Sequence, residues 1–181
     1  GGLYIEERLK SGVEMIGESE IGAEIELLSL LLASFESLEL APETKPTLLI
    51  GHTGLLNLIL SRIESNLKEQ VRKLLIEYNN IELEKLGLSK NDGEFIYKAM
   101  NSRDEPKRSL NKLRKLIGDE EVITSLERLF EQTKVMSVNL NLRLILDPTF
   151  QPHFELYTGL VFQIVCNGTS APVVIARGGR Y

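Results

Sequence analysis

The sequence predicts an α+β protein, an antiparallel sheet flanked by helices and interrupted by an all-helical insertion. Three observations carry this expectation. Two runs rich in β-branched and aromatic residues, Phe154 to Cys166 and Ala171 to Tyr181, are joined by Asn167-Gly-Thr-Ser170, whose composition suits a turn, so the pair predicts an antiparallel hairpin. Between about 65 and 134 charges become dense and apolar residues recur at helical spacing. After that stretch Leu140, Leu142, Leu144 and Leu146 alternate with polar neighbours, a half-buried strand from Ser137 to Leu146 that returns the chain to the sheet. The expected organisation is a sheet core from 1–64 and 135–181, with 65–134 as the helical insertion.

Taken in order, Tyr4 to Gly17 partly alternates and predicts a strand from about Arg8 to Ile16. Ser19 can cap a helix whose apolar residues, among them Leu27, Leu28, Leu30, Leu31, Leu32 and Phe35, fall on more than one stripe and ask for burial against the sheet. That helix is expected to be packing, not chemistry. Ala41 to Pro46 is a connecting loop. Thr47-Leu-Leu-Ile-Gly-His52 has the apolar style of an interior strand, and Thr53 can cap a helix through Ile63. His52 and His153 are the only histidines and lie far apart in sequence, so His52 is expected to be structural rather than a metal ligand. Within the insertion, breaks are expected at Asn79-Asn80, Gly87, Asn91-Asp-Gly93, Asp104-Glu-Pro106 and Gly118-Asp119. Four or five short helices fit between them. The basic stretch from Arg103 to Lys115 lacks aromatic residues for base stacking, which favours a solvated helix face over an RNA site. Asp147-Pro148 ends the returning strand.

Composition narrows the possibilities. At 181 residues and 20.4 kDa, with 43% hydrophobic residues, the chain can bury one full core. A formal net charge of −5 argues against general nucleic-acid affinity, which needs clustered Lys and Arg. Cys166 is the single cysteine, so an internal disulfide and a cysteine zinc cluster are both excluded; its apolar strand makes it a buried structural thiol. No run is long enough to span a membrane and Gly1-Gly2-Leu3 shows no secretory pattern, so a cytoplasmic setting is expected.

In the hairpin, Leu160, Phe162, Ile164 and Cys166 share one face while Tyr157, Val161 and Val165 share the other. One face is expected to lie under helices and the other to line something. Gly178 and Gly179 let the backbone bend or approach a ligand closely. Tyr157-Thr-Gly-Leu-Val-Phe162 and Ala176-Arg-Gly-Gly-Arg-Tyr181 resemble the paired motifs Tyr-Tyr-Thr-Gly-x-x-Phe-Glu and Ala-Gly-Gly-Arg-Tyr-Asp of the histidyl-tRNA synthetase family. Lys10-Ser-Gly-Val-Glu14 similarly resembles its Gln-x-Gly-x-Glu strand.

The resemblance implies a partial class II aminoacyl-tRNA synthetase-like core and a histidine-like pocket formed by Glu14, Tyr157, Tyr181, Gly178, Gly179 and Lys10. In the family pattern the glutamate pairs with the ligand's ammonium group; Lys10 stands where the pattern has glutamine and adds a like charge, so weak histidine binding is expected. The pattern also places an arginine before the Tyr-Thr-Gly element, where this chain has Pro152, followed by His153. A fixed cation is what adenylate chemistry needs. The resemblance therefore implies the family's non-catalytic branch, a regulatory subunit of ATP phosphoribosyltransferase in histidine biosynthesis. It would partner the catalytic subunit in a hetero-oligomer, with self-association left open, and use no metal or cofactor. The competing expectation is a fragment of a histidyl-tRNA synthetase.

Overall fold

The computed structural model describes residues 20–37, 45–138, 140–151, 159–167 and 171–179. The expected strand from Arg8 to Ile16 lies outside them. In chain order the elements are α1 (Glu20–Ser37), β1 (Thr47–His52), α2 (Thr53–Ser61), α3 (Lys68–Ile76), α4 (Asn80–Lys85), α5 (Lys90–Met100), α6 (Pro106–Ile117), α7 (Glu121–Val138), β2 (Arg143–Leu146), β3 (Leu160–Asn167) and β4 (Pro172–Gly179).

The strands form one sheet in the order β2-β1-β3-β4. β3 pairs antiparallel with both β1 and β4, but β1 and β2 run parallel, Thr47 beside Arg143 and Ile50 beside Leu146. The sheet is thus mixed, mostly antiparallel. A parallel pair cannot be closed by a tight turn and needs a long crossover; α2 to α7 supply it.

Side-chain alternation sorts the strands into two faces. Leu48, Ile50, Leu146, Leu160, Phe162 and Ile164 turn to one side and join Leu28 and Leu32 of α1, Leu55 and Ile59 of α2, and Val71, Ile96, Leu113, Ile123, Leu126 and Leu129 from the later helices in a single core. Leu49, Ile145, Phe150 and Val161 form a much smaller cluster on the other side. The helices between β1 and β2 therefore share their core with the sheet. Removing the side chain of Leu113 or Ile123, both fully buried, should cost about 2–5 kcal/mol and weaken sheet and helices together. In α1, Leu27, Leu28, Leu32 and Phe35 are buried as expected; Leu30, also expected to be buried, is exposed instead, because it lies off the stripe that meets the core.

Several local expectations are corrected. Thr53 does not cap α2; His52 does, its Nδ1 accepting from the Gly54 N–H at 3.1 Å. Asn91-Asp-Gly93 is no break but the first turn of α5. Ser89 caps it by accepting from Asp92 N–H, and the buried Asp92 carboxylate accepts from Glu64 and Ser65 N–H groups, fixing the exit from α2. The returning strand begins at Arg143 rather than Ser137, and α7 occupies the residues up to Val138. Parallel pairing starts only where the Arg143 N–H reaches Pro46 carbonyl oxygen at 3.1 Å; among the described residues the leucines before it have no neighbouring strand, and Leu140 and Leu142 pack against the main core instead. The outer edge of β2 is partly closed by Asp104, which exchanges both backbone hydrogen bonds with Leu146.

Candidate functional site

The hairpin of β3 and β4 is built around a close approach. A β-carbon at Gly178 would lie 2.5 Å from Phe162 Cζ and 2.8 Å from its Cε1, so β4 can rest on the ring only because no side chain intervenes. A register shift between Ile164 and Val165 leaves β4 with one extra residue, a bulge of the kind that re-aims a strand. On the face away from the helices, a β-carbon at Gly51 would lie 2.4 Å from the Phe150 carbonyl oxygen. The segment after β2 therefore crosses the sheet directly over β1. Buried Leu49, Ile145, Phe150 and Val161 make an apolar floor there, beside Gln163 and Arg177, which pair across β3 and β4.

The start of β3 is held by polar contacts from distant parts of the chain. Gly159, the glycine of the Tyr157-Thr-Gly element, has φ +80°, a left-handed conformation that glycine adopts without penalty. Its N–H donates to Thr53 Oγ1 at 2.6 Å and its carbonyl accepts from the Thr53 N–H at 2.9 Å. One residue on, the Leu160 N–H donates to Glu24 Oε1 at 3.2 Å; the same oxygen lies 3.1 Å from His52 Nε2. Because His52 Nδ1 accepts from Gly54, the tautomer that satisfies the network carries its hydrogen on Nε2 and donates it to Glu24. Glu24 is buried and receives a backbone and a side-chain donor, which is how a buried carboxylate is tolerated.

A second network joins the crossover helices to the sheet. The buried Asp147 carboxylate accepts from the Thr149 N–H and hydroxyl at 2.9 and 2.8 Å and from the Tyr78 hydroxyl at 3.2 Å, with Arg103 3.9 Å away. Burial, and then the negative charge of Asp147, push the Tyr78 phenol well above its usual range. Tyr78 sits at φ +53°, unusual for a residue with a bulky side chain. The Cys166 thiol is buried and pushed upward by desolvation, which leaves it unreactive by position. On α6, Lys112 pairs with Asp104, and Arg114 with Asp119 and Glu127. Two of the basic side chains expected on a solvated face are thus already paired with carboxylates. Among the described residues no three His, Cys, Asp or Glu side chains converge as metal ligands would, and no helix is long and apolar enough to cross a membrane.

Of the pocket residues expected from the sequence, Gly178 and Gly179 are described, at the end of β4 opposite Phe162 and Val161. Glu14, Lys10, Tyr157 and Tyr181 lie outside the described residues, as do Pro152 and His153. His52 takes the structural role expected of it. Glu24 was missed as a polar link, although its place three and four residues before Leu27 and Leu28 put an acid on a buried stripe.

Helices pack on one face of a mixed, mostly antiparallel sheet, and the fold is class II aminoacyl-tRNA synthetase-like. A solved ATP phosphoribosyltransferase regulatory subunit/histidyl-tRNA synthetase from Bacillus halodurans superposes with a TM-score of 0.73 at 23% identity, over 91% of this chain and 44% of that one. A chain of the ATP phosphoribosyl transferase (HisG:HisZ) complex from Thermotoga maritima gives 0.64 at 24% identity, over 88% and 56%. The family model for histidyl-tRNA synthetase matches residues 3–181, and the chain belongs to that family. Among its relatives are proteins named ATP phosphoribosyltransferase regulatory subunit from Prochlorococcus marinus (strain MIT 9303), 49% identical, and Synechococcus sp. (strain CC9902), 50% identical; both matches cover all of this chain and 46% of the relative. The chain thus spans about half the length of the curated relatives it matches.

Proposed function

We propose that this chain is part of a regulatory subunit of ATP phosphoribosyltransferase, required with the catalytic subunit for the first step of histidine biosynthesis and for its inhibition by histidine. The observation that carries the reading is 49% and 50% identity, over all 181 residues, to two proteins bearing that name. Pro152 supports a non-catalytic role, since an uncharged ring stands where the family's synthetases place the arginine that meets the reacting carboxylate. The proposal carries a cytoplasmic location with it.

In this reading Glu14, Lys10, Tyr157, Tyr181, Gly178 and Gly179 border a ligand pocket on the side of the sheet away from the helices. A ligand regulates only by binding one state better than another. The described residues offer a route for that difference. Whatever contacts Tyr157 acts two residues from Gly159, which is bonded both ways to the first residue of α2, and three from Leu160, which is bonded to α1 through Glu24. The helical segment from 65 to 134 belongs to the same folding unit as the sheet in this proposal, because its core is shared.

The test is to titrate the full-length protein with the catalytic phosphoribosyltransferase subunit and follow phosphoribosyl transfer to ATP. Formation of a complex with raised, histidine-sensitive activity is expected. No complex and no change in activity would overturn the assignment. A second reading, a histidyl-tRNA synthetase fragment, has the family model's own description in its favour; histidine-dependent pyrophosphate exchange by the full-length protein would establish it instead.

A further inference from the structure

The outer edge of β2 is only half paired. Residues of a parallel strand bond to the two sides alternately. Arg143 and Asp147 donate their N–H groups to Pro46 and Ile50, so Leu144 and Leu146 present theirs on the side away from β1. Asp104 takes both backbone groups of Leu146 in an antiparallel bridge. Two residues further on, where the next partner would face Leu144, stands Pro106, which has no N–H and opens α6. The chain turns away there, and the Leu144 N–H and carbonyl have no backbone partner among the described residues.

This edge borders a groove of about 830 Å³ between α6, α7 and β2. Leu110, Phe130, Leu142 and Leu144 give it an apolar lining. Two of its acids, Asp104 and Glu127, are already paired with Lys112 and Arg114. That leaves Lys107, Arg108, Lys134 and Arg143 against Glu105 and Glu131, none of the six in an ion pair among the described residues. The unpaired charge of the groove is therefore mainly positive.

We propose that this edge docks an extended, acidic peptide segment of another protein, which adds a strand antiparallel to β2. Unpaired N–H and C=O groups on an edge are a template for strand addition. Backbone bonds supply the hold and alternate side-chain sites the selectivity. Side chains of the added strand alternate between its two sides. Those on the Leu144 side meet the apolar lining, and those on the other side meet Arg143, which alternation turns the opposite way. A sequence alternating apolar and acidic residues matches both. The proposal stands on β2, α6 and α7 and does not depend on the regulatory reading.

Fluorescence anisotropy on the full-length protein tests it with a labelled peptide of alternating glutamate and valine, about eight residues long to match a usual strand. Saturable binding is expected, and the lysine and valine counterpart should not bind. The residues opposite Leu144 are the ones that exchange hydrogen bonds with it. N-methylation of the valines should therefore abolish binding, whereas N-methylation of the glutamates should leave most of it. Hydrogen exchange should show the Leu144 amide gaining protection when the peptide is bound. Arg143→Glu is expected to weaken binding about fivefold or more, with thermal unfolding as the check that the variant is folded. The proposal is overturned if the wild-type protein does not bind the acidic peptide, or if the lysine peptide binds as well. It is equally overturned if valine N-methylation changes nothing or the Leu144 amide gains no protection. Self-association that Arg143→Glu abolishes, without peptide binding, would assign the edge to a second copy of the chain instead.

Discussion

Replacing Glu24 by alanine should loosen the start of β3 far more than its place in a packing helix suggests. Both the Leu160 N–H and His52 Nε2 converge on the single oxygen Oε1, at 3.2 and 3.1 Å. Leu160 is fully buried, so its orphaned N–H costs about 1–3 kcal/mol with no water to replace the carboxylate. The His52 side chain is 14% exposed and would recover some solvation, which brings the sum to roughly 2–4 kcal/mol. That is a large share of a domain's total stability of ~5–15 kcal/mol. Hydrogen exchange by NMR or mass spectrometry reads the effect locally: at ~1.4 kcal/mol per factor of ten, protection of the Leu160 amide should fall about 30-fold to several hundredfold. Glu24→Gln keeps an acceptor oxygen in place and should lose only the charge assistance, about 1 kcal/mol. In a double-mutant cycle, Glu24→Ala and His52→Ala should be strongly non-additive. Unchanged Leu160 protection in Glu24→Ala, with normal exchange elsewhere, would refute the proposed anchoring role.

Three further predictions follow from the geometry. Gly178→Ala places a β-carbon 2.5 Å from Phe162 Cζ; moving the ring or β4 should cost about 1–3 kcal/mol, visible as a lower denaturation midpoint that Gly178→Ala/Phe162→Leu partly restores. Spectrophotometric titration of the five tyrosines should show one phenol still protonated well above the usual range, and Tyr78→Phe should remove that late step while costing about 1 kcal/mol of stability. The Glu127 carboxyl is held below its ordinary 4.5 by its hydrogen bond to Arg114, and Asp104 below 3.8 by its bond to Lys112. A depressed folded-state pKa stabilises above the ordinary carboxylate value and is lost as pH falls through the depressed one, so α6 and α7 should weaken below about pH 4. Glu127→Gln should flatten that acid limb in a circular-dichroism pH series.

Much of the framework was legible because it depends on local pattern. β1 spans the residues its apolar run predicted, and Leu160, Phe162 and Ile164 share the covered face as their alternation required. What escaped depends on partners remote in sequence. Nothing near Thr47 announces that it will lie parallel to Arg143. The leucine alternation from Leu140 suggested a longer strand, yet a strand extends only as far as a neighbour exists to bond it. Ser89, three residues before Asp92, was a readable helix start that the turn-like Asn91-Asp-Gly93 obscured. The candidate site was legible only where glycines dictated it. Gly178 marks a close approach between strands, whereas the task of Thr53 became visible only with Gly159, 106 residues later, beside it.

The long crossover between the two parallel strands also sets the order in which the molecule can assemble. Contacts inside α3 to α7 close short loops, while Leu160 must find Glu24 across 136 residues, so the entropic toll of loop closure falls late and sheet completion should limit the refolding rate. During synthesis β1 emerges with both hydrogen-bonding edges bare and stays so until β2 and β3 leave the ribosome. Its Leu48-Leu-Ile50 run is then a sticky template for other nascent chains. Early compaction of the helices that follow it would shield one side of this run and keep the polypeptide from aggregating before its own strands arrive.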